Sequence, residues 1–329
     1  MPATFRRRER PRVALITPYG AQANNGNWHT AARWARMLAP HARVHLATQW
    51  SAAQGPPADL MIALHARRSA ATIDAFARAC PQQPLIVVLT GTDLYRDIHV
   101  DAAARRSLEL ASLLVVLQEA GLAALPAGVR AKARCIPQSA PQLARLAPRV
   151  RTFDVAVVGH LRDEKDPLTA MRAAERLPAD SRIRLLHAGD ALTPALGAAA
   201  RRTERACAQY TWLGGLPAPR ARALIRRSRL LLHPSKMEGG SQVIIEAVRC
   251  GVPVIASRCD GHVGLLGRDH PGFFPVGDDA ACARLLQRAE RDPAFLLRLL
   301  QAGRRRAPLF APAREAAALR GLLRTRSGG

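Results

Sequence analysis

The feature that most constrains this 329-residue chain is a repeated alternation of short, continuous apolar runs with longer segments of helical period. Val13 to Ile16, Val44 to Ala47, Leu60 to Leu64, Leu85 to Leu89 and Leu113 to Leu117 are such runs. Between most of them lie amphipathic stretches such as Trp28 to Leu38, Ser69 to Ala79 and Ala102 to Ala111. A strand that is apolar at successive positions has both faces to bury, so these runs predict a parallel sheet with helices on either side.

The alternation pauses between Pro137 and Val150, then restarts with Phe153 to Val158. It continues through a helix from Pro167, a strand Ile183 to Ala188, a helix ending near Arg205 and a short strand Tyr210 to Trp212. A helix from Pro217, a strand Leu230 to His233, a helix Gln242 to Cys250 and a strand Val254 to Ala256 complete it. The expected class is therefore α/β, with two Rossmann-like doubly wound domains facing a central cleft, over residues 1–145 and 146–310. Residues 311–329, after the break at Pro308 to Pro312, are expected to form a helix that crosses back to the first domain. In open parallel sheets, ligands bind at the carboxyl ends of the strands.

Composition narrows the function. With 48% hydrophobic residues the chain has enough apolar content for two cores. Lys+Arg 49 against Asp+Glu 25 gives a net charge of +24, which raises nucleic acid or anionic surfaces as partners. Yet the arginines are scattered through Ala- and Leu-rich helices, aromatic residues make up only 4%, and no RNA-binding signature occurs, so a solvated basic surface is expected and nucleic acid is not. Six cysteines lack any CxxC spacing and suggest buried free thiols in a reducing cytoplasm. No apolar h-region follows Arg6-Arg7-Arg8, and no apolar run is long enough to span a bilayer.

The stretch richest in chemistry is Glu238-Gly239-Gly240-Ser241-Gln242-Val243-Ile244-Ile245-Glu246, followed by Gly251-Val252-Pro253-Val254. Glycines let the backbone approach a ligand, and the unpaired N–H groups at the start of the next helix suit a phosphate, so a sugar–phosphate ester fits between the two carboxylates. A second cluster, Gly159-His160-Leu161-Arg162-Asp163-Glu164-Lys165, follows the first strand of the second domain. In the first domain Asn24-Asn25-Gly26-Asn27, His65-Ala66-Arg67-Arg68 and Thr90-Gly91-Thr92-Asp93 all fall where strands end.

The glutamate pair resembles the E-x7-E signature of GT-B glycosyltransferases of the family 4 type, which take nucleotide-sugar donors. The resemblance implies that Glu246 holds the ribose and Glu238 the donor sugar, with Gly239, Gly240 and Ser241 near the diphosphate. It also implies that the Gly159 loop meets the leaving diphosphate through Lys165, with His160 standing where relatives carry Arg and Arg162 two residues further on. No Asp-x-Asp occurs and the histidines make no HxH or HExxH ligand pair, so no metal and no cofactor beyond the UDP-sugar substrate is expected.

The first-domain strings, together with Gly264 to Gly267 and Phe273 to Asp278, are similar to the selenosugar synthases of selenoneine biosynthesis over roughly residues 13 to 310. That similarity implies transfer of a hexosyl group, N-acetylglucosamine or one like it, from a UDP-sugar to the selenium of selenophosphate. His65 would act at the reaction centre, with Gly26, Asn27, Arg67, Arg68, Thr90 and Asp93 around the acceptor. A sugar or lipid hydroxyl acceptor is the alternative, with Asp93 as its base; from a different class, a noncatalytic nucleotide-sugar-binding protein or a nucleic-acid-binding protein is a further one.

Overall fold

A computed structural model describes residues 9–325 except 24 and 54, so Asn24 and the basic start of the chain lie outside the described residues. The chain divides into two compact units. The first comprises residues up to Leu117, Gly121–Ile136 and those from Ala313 onward; the second comprises Gln118–Ala120 and Pro137–Pro312.

Six strands form the first sheet: β1 (Arg12–Ile16), β2 (Arg43–Ala47), β3 (Leu60–Leu64), β4 (Leu85–Leu89), β5 (Leu113–Val116) and β6 (Ala133–Cys135). All pair in parallel in the order β2-β1-β3-β4-β5-β6. β3, β4 and β5 are buried at every position, whereas β2, at the edge, is partly exposed throughout. One face packs on a core around Phe76, Met61 and Leu94, the other on Trp34, Leu38 and Ile62.

The second sheet contains β7 (Phe153–Val158), β8 (Ile183–Ala188), β9 (Tyr210–Trp212), β10 (Leu230–His233), β11 (Val254–Ser257) and β12 (Phe273–Phe274). Its parallel order is β9-β8-β7-β10-β11-β12, which in chain order within this unit is 3-2-1-4-5-6. That is the doubly wound arrangement, with its direction of winding reversing between β7 and β10.

The division falls at Ile136/Pro137 rather than at 145/146. Ala140 already lies in the second unit's core, its N–H donates to the Phe310 carbonyl at 3.2 Å, and Leu146 bonds the Arg226 carbonyl. The helix Pro312–Leu322 contributes Leu319 and Leu322 to the first unit's core. Its fully buried Glu315 carboxylate accepts from the Trp34 indole at 2.7 Å and from Arg33. No helix among the described residues is long and apolar enough to cross a membrane.

Candidate active site

The reversal of winding between β7 and β10 sets two loops side by side at the carboxyl end of the second sheet. After β7, the turn Asp163–Lys165 ends at Asp166, whose φ of 46° bends the chain into the helix Pro167–Glu175. The Asp166 carboxylate holds that bend by accepting from the Thr169 hydroxyl at 2.6 Å. The loop after β10 is tied to this turn: Lys236 N–H donates to the Glu164 carbonyl at 2.9 Å, and the Lys236 ammonium bonds Asp163. The two loops are thus bonded to each other, and Lys165 meets Glu238, 73 residues away, with Nζ donating to Oε1 at 2.5 Å.

Glu238 is only 8% exposed. The same Oε1 also accepts from the Ser235 hydroxyl at 2.7 Å and from His233 Nε2 at 3.0 Å. Because a carboxylate only accepts, His233 must carry its proton on Nε2. The Ser241 hydroxyl lies 2.9 Å from that nitrogen and caps the helix Gln242–Arg249. Burial alone would raise the Glu238 pKa, but the charge of Lys165 and the His233 hydrogen bond outweigh it and hold the carboxyl well below its usual range. Glu238 is thus ionised, with one oxygen saturated by three donors.

His262, fully buried, offers a third donor atom that lies within 4.8 Å of those of His233 and Glu238. The carboxylate oxygen of this set already holds the Lys165 ammonium at 2.5 Å. The cluster has the bonding of a hydrogen-bond network.

The other residues of the β10 and β7 loops are placed as follows. Gly239 is buried and Gly240 partly so, within the loop leading to the Ser241 cap. Glu246, on the helix that Ser241 caps, takes Arg222 Nε and Nη2 on Oε1 at 3.2 and 3.1 Å. His160 turns toward Asp190, accepting its N–H on Nδ1 at 3.2 Å, and Arg162 is half exposed, 3.9 Å from Glu164. Gly159 lies beneath the Lys165 stem, and Gly189 packs so tightly on the Gly159 carbonyl that a side chain at 189 would collide with it. His187, a buried neighbour on β8, accepts or donates at 2.9 Å to the Tyr210 hydroxyl; burial pushes its pKa down to about 4.

In the first unit the winding reverses between β1 and β3. His65, directly after β3, is buried with φ 74°, a left-handed conformation that costs a non-glycine residue about 1 kcal/mol or more. Its Nδ1 accepts from Arg68 N–H at 3.4 Å, leaving Nε2–H for the Thr92 hydroxyl at 3.2 Å. Burial lowers its pKa against the pull of Asp93. Arg67 Nε donates to Asp97 at 3.0 Å, while Arg68 is exposed and lies over the Tyr19 ring at 5.2 Å.

Asp93 requires a correction. It is fully buried, and its two oxygens accept the N–H groups of Ala66, Thr90 and Gly91 and the Thr90 hydroxyl. A carboxylate so occupied anchors the loop and the π-helical turn Asp93–Asp97; it is in no position to touch an acceptor or take its proton. Thr90 likewise spends its hydroxyl on Asp93. Gly26 and Asn27 lie in the first turn of the helix Gly26–Leu38, not in a loop, because the Asn25 side chain caps Trp28 N–H. The residues that sequence reasoning missed are His233, Ser235, His262 and Arg222. Only the histidine closing β10 carried a sequence signal, a polar residue at the end of an apolar strand.

The profile of the family described as glycosyl transferases group 1 matches residues 142–306, half of the chain. The chain belongs to that family. Its fold is the GT-B fold of solved glycosyl transferases. Sucrose-phosphate synthase from Thermosynechococcus elongatus superposes with a TM-score of 0.77 at 19% identity, over 96% of this chain and 98% of that one. Anabaena HepE, in a complex with UDP and glucose, gives 0.76 at 18% identity, over 95% and 99%. The α,α-trehalose 6-phosphate synthase of Burkholderia multivorans gives 0.68 at 15% identity, over 83% and 71%. No curated protein matches significantly. In this glycosyl transferase the matched region contains both the Lys165 loop and the Glu238 loop.

Proposed function

We propose that this glycosyl transferase moves a hexosyl group from a UDP-sugar to the selenium of selenophosphate, without a metal. On the donor side, Glu238 offers Oε2 to a sugar hydroxyl while Lys165, anchored nearby, meets the diphosphate. HepE, of the same fold, was solved with UDP-glucose, which supports a donor of this class. Glu246 with Arg222 would hold the ribose, and Ser241 and the glycines before it would approach the diphosphate.

The observation that carries the acceptor assignment is the state of the carboxylates after β3 and β4. Asp93 is fully buried and holds the N–H groups of Ala66, Thr90 and Gly91, and Asp97 is buried and paired with Arg67 and Arg96, so both carboxylates are committed within the protein, while Arg68 stands exposed. Such a rim suits an anion that arrives already ionised and only needs orienting. The selenium lone pair attacks C1 of the sugar; the C1–O bond to the β-phosphate breaks, and its electron pair leaves on UDP. A Se–C bond forms, and the phosphate is lost later by hydrolysis of the P–Se bond.

The test is UDP release from UDP-glucose and UDP-N-acetylglucosamine, with and without selenophosphate, in EDTA. Selenophosphate-dependent release, slower with thiophosphate and absent with phosphate, is expected. Release that requires a sugar or lipid alcohol, or an added divalent metal, would replace this reading.

A further inference from the structure

Among the buried polar atoms of the described residues, His262 Nε2 is left without a partner. Its ring is otherwise fixed: Nδ1 lies 2.7 Å from the Ser257 carbonyl, which can only accept, so Nδ1 carries the proton. Nε2 is then a bare lone pair. Burial, reinforced by the neighbouring His233, takes the pKa down to about 3, so the ring does not escape the deficit by protonation. A buried acceptor with nothing to accept costs about 1 to 3 kcal/mol, and such groups call for a ligand or water.

The surroundings restrict what the partner can be. The His262 ring lies 5.2 Å from that of His233, beside Glu238 and under its field. Gly261 abuts the Glu238 carbonyl so closely that a Cβ there would meet it at 1.9 Å, which locks the start of the helix Asp260–Leu266 to the Glu238 loop. Among the described residues His262 Nε2 is a buried acceptor without a donor, and the donors to the Glu238 carboxylate all fall on Oε1, which leaves Oε2 as the second acceptor. A diphosphate oxygen has no proton to give and would be repelled by both. The complementary ligand carries two neutral donors close together, as a hexose does with its hydroxyls.

We infer that His262 is a specificity-determining residue that accepts a hydrogen bond from a hydroxyl or amide N–H of the donor sugar, at a position different from the one Glu238 recognises. This rests on the donor reading above. The paired acceptors select a sugar by where it carries donors, and a deoxy or fluorinated position facing His262 leaves Nε2 unpaired.

The experiment measures binding, so it does not depend on the acceptor. UDP-glucose and UDP-N-acetylglucosamine are titrated into the full chain by calorimetry, followed by analogues of the tighter binder in which each hydroxyl in turn is replaced by fluorine, which accepts but does not donate. One substitution should weaken binding to wild type about tenfold, in line with a single buried hydrogen bond. In His262→Asn, whose amide keeps the bond to Ser257 but has no atom at Nε2, that penalty should fall below about twofold. His262→Gln, with an oxygen near the lost nitrogen, should restore part of it. Glu238→Gln should relax a different position. If only Glu238 couples to a sugar position, the donor reading stands and this inference is overturned, with a trapped water as the partner of Nε2. Binding of UDP alone, with no gain from any sugar, overturns both.

Discussion

Lys165 and Glu238 illustrate how an ion pair can be tolerated where a single charge is not. Removing the ammonium leaves an ionised carboxylate in a site only 8% exposed, and because the lysine is partly exposed and Ser235 and His233 still donate to Glu238, the cost should fall below the roughly 3 to 5 kcal/mol of a fully buried pair, at about 1 to 3 kcal/mol. Lys165→Ala should therefore lower unfolding stability in denaturant by that order, and also slow UDP release by about 10² through loss of a contact that strengthens as charge develops on the diphosphate. Glu238→Gln, which removes the charge along with the need for it, should be the less destabilising of the two. An unchanged midpoint in Lys165→Ala would place the ammonium in solvent. Asp93 invites the opposite error of interpretation. An amide at 93 would turn a donor toward backbone N–H groups, so Asp93→Asn should cost about 2 kcal/mol of stability and reduce activity with it. Its pH–rate profile should nevertheless keep the wild-type shape, because no proton passes through it; a lost limb in that profile would restore Asp93 as a base. Residue types at this scale were readable only in part. Glu238 and Lys165 stand out in the sequence because the loops that carry them have the expected composition. His233 shows only as a polar residue closing an apolar strand, and His262 does not stand out at all, since its meaning lies in neighbours a whole strand away.

Elements were more legible where they were long. The fully buried strands β3, β4 and β5 are continuous apolar runs in the sequence, and Pro167 and Pro194 mark the first turns of their helices. β6 and β12, of three and two residues, are too short for any periodicity and exist because a neighbouring strand offers them an edge. The start of the helix at Gly26 was hidden by an Asn-Gly pair that suits a turn equally well, and only the Asn25 cap decides it. The C-terminal helix shows how an element's worth depends on what it covers. Pro312–Leu322 buries Leu319 and Leu322 and satisfies the Trp34 indole through Glu315. Ending the chain at Ala311 should expose that core, at about 1.5 to 3 kcal/mol for each leucine, and leave a buried indole N–H without its acceptor. Hydrogen exchange should then accelerate in β1 and β3 while β7 and β10 keep their protection. Equal protection in both units would mean that the helix is dispensable.

At the scale of the whole chain, the placement of histidine determines how the protein responds to acid. His187, His262 and His270 are buried neutral, with burial pushing their pKa values down to about 4, 3 and 4, and burial lowers those of His65 and His233 as well. An unfolded histidine titrates near 6.5, so between that value and 4 the unfolded chain binds protons that the native chain refuses. Stability contributed by these groups is complete above pH 6.5 and is lost as pH falls toward their native values, by about 3 kcal/mol for a histidine held near 4. Glu238 acts in the same direction further down: its depressed carboxyl stabilises the native state above the ordinary glutamate range and ceases to do so as pH falls through its native value. A net charge of +24 adds repulsion that grows as the remaining carboxylates are neutralised. Urea unfolding should therefore give a plateau above pH 6.5 and a steep decline between 6.5 and 4.5. His270, which bonds the Val254 carbonyl far along the chain from either loop of the site, provides the check on cause. His270→Phe should reduce the slope of that decline by about one proton, 1.4 kcal/mol per pH unit, while leaving the midpoint of the UDP-release pH profile in place. A stability that is flat from pH 6.5 to 4.5 would show that the buried imidazoles find their protons without unfolding.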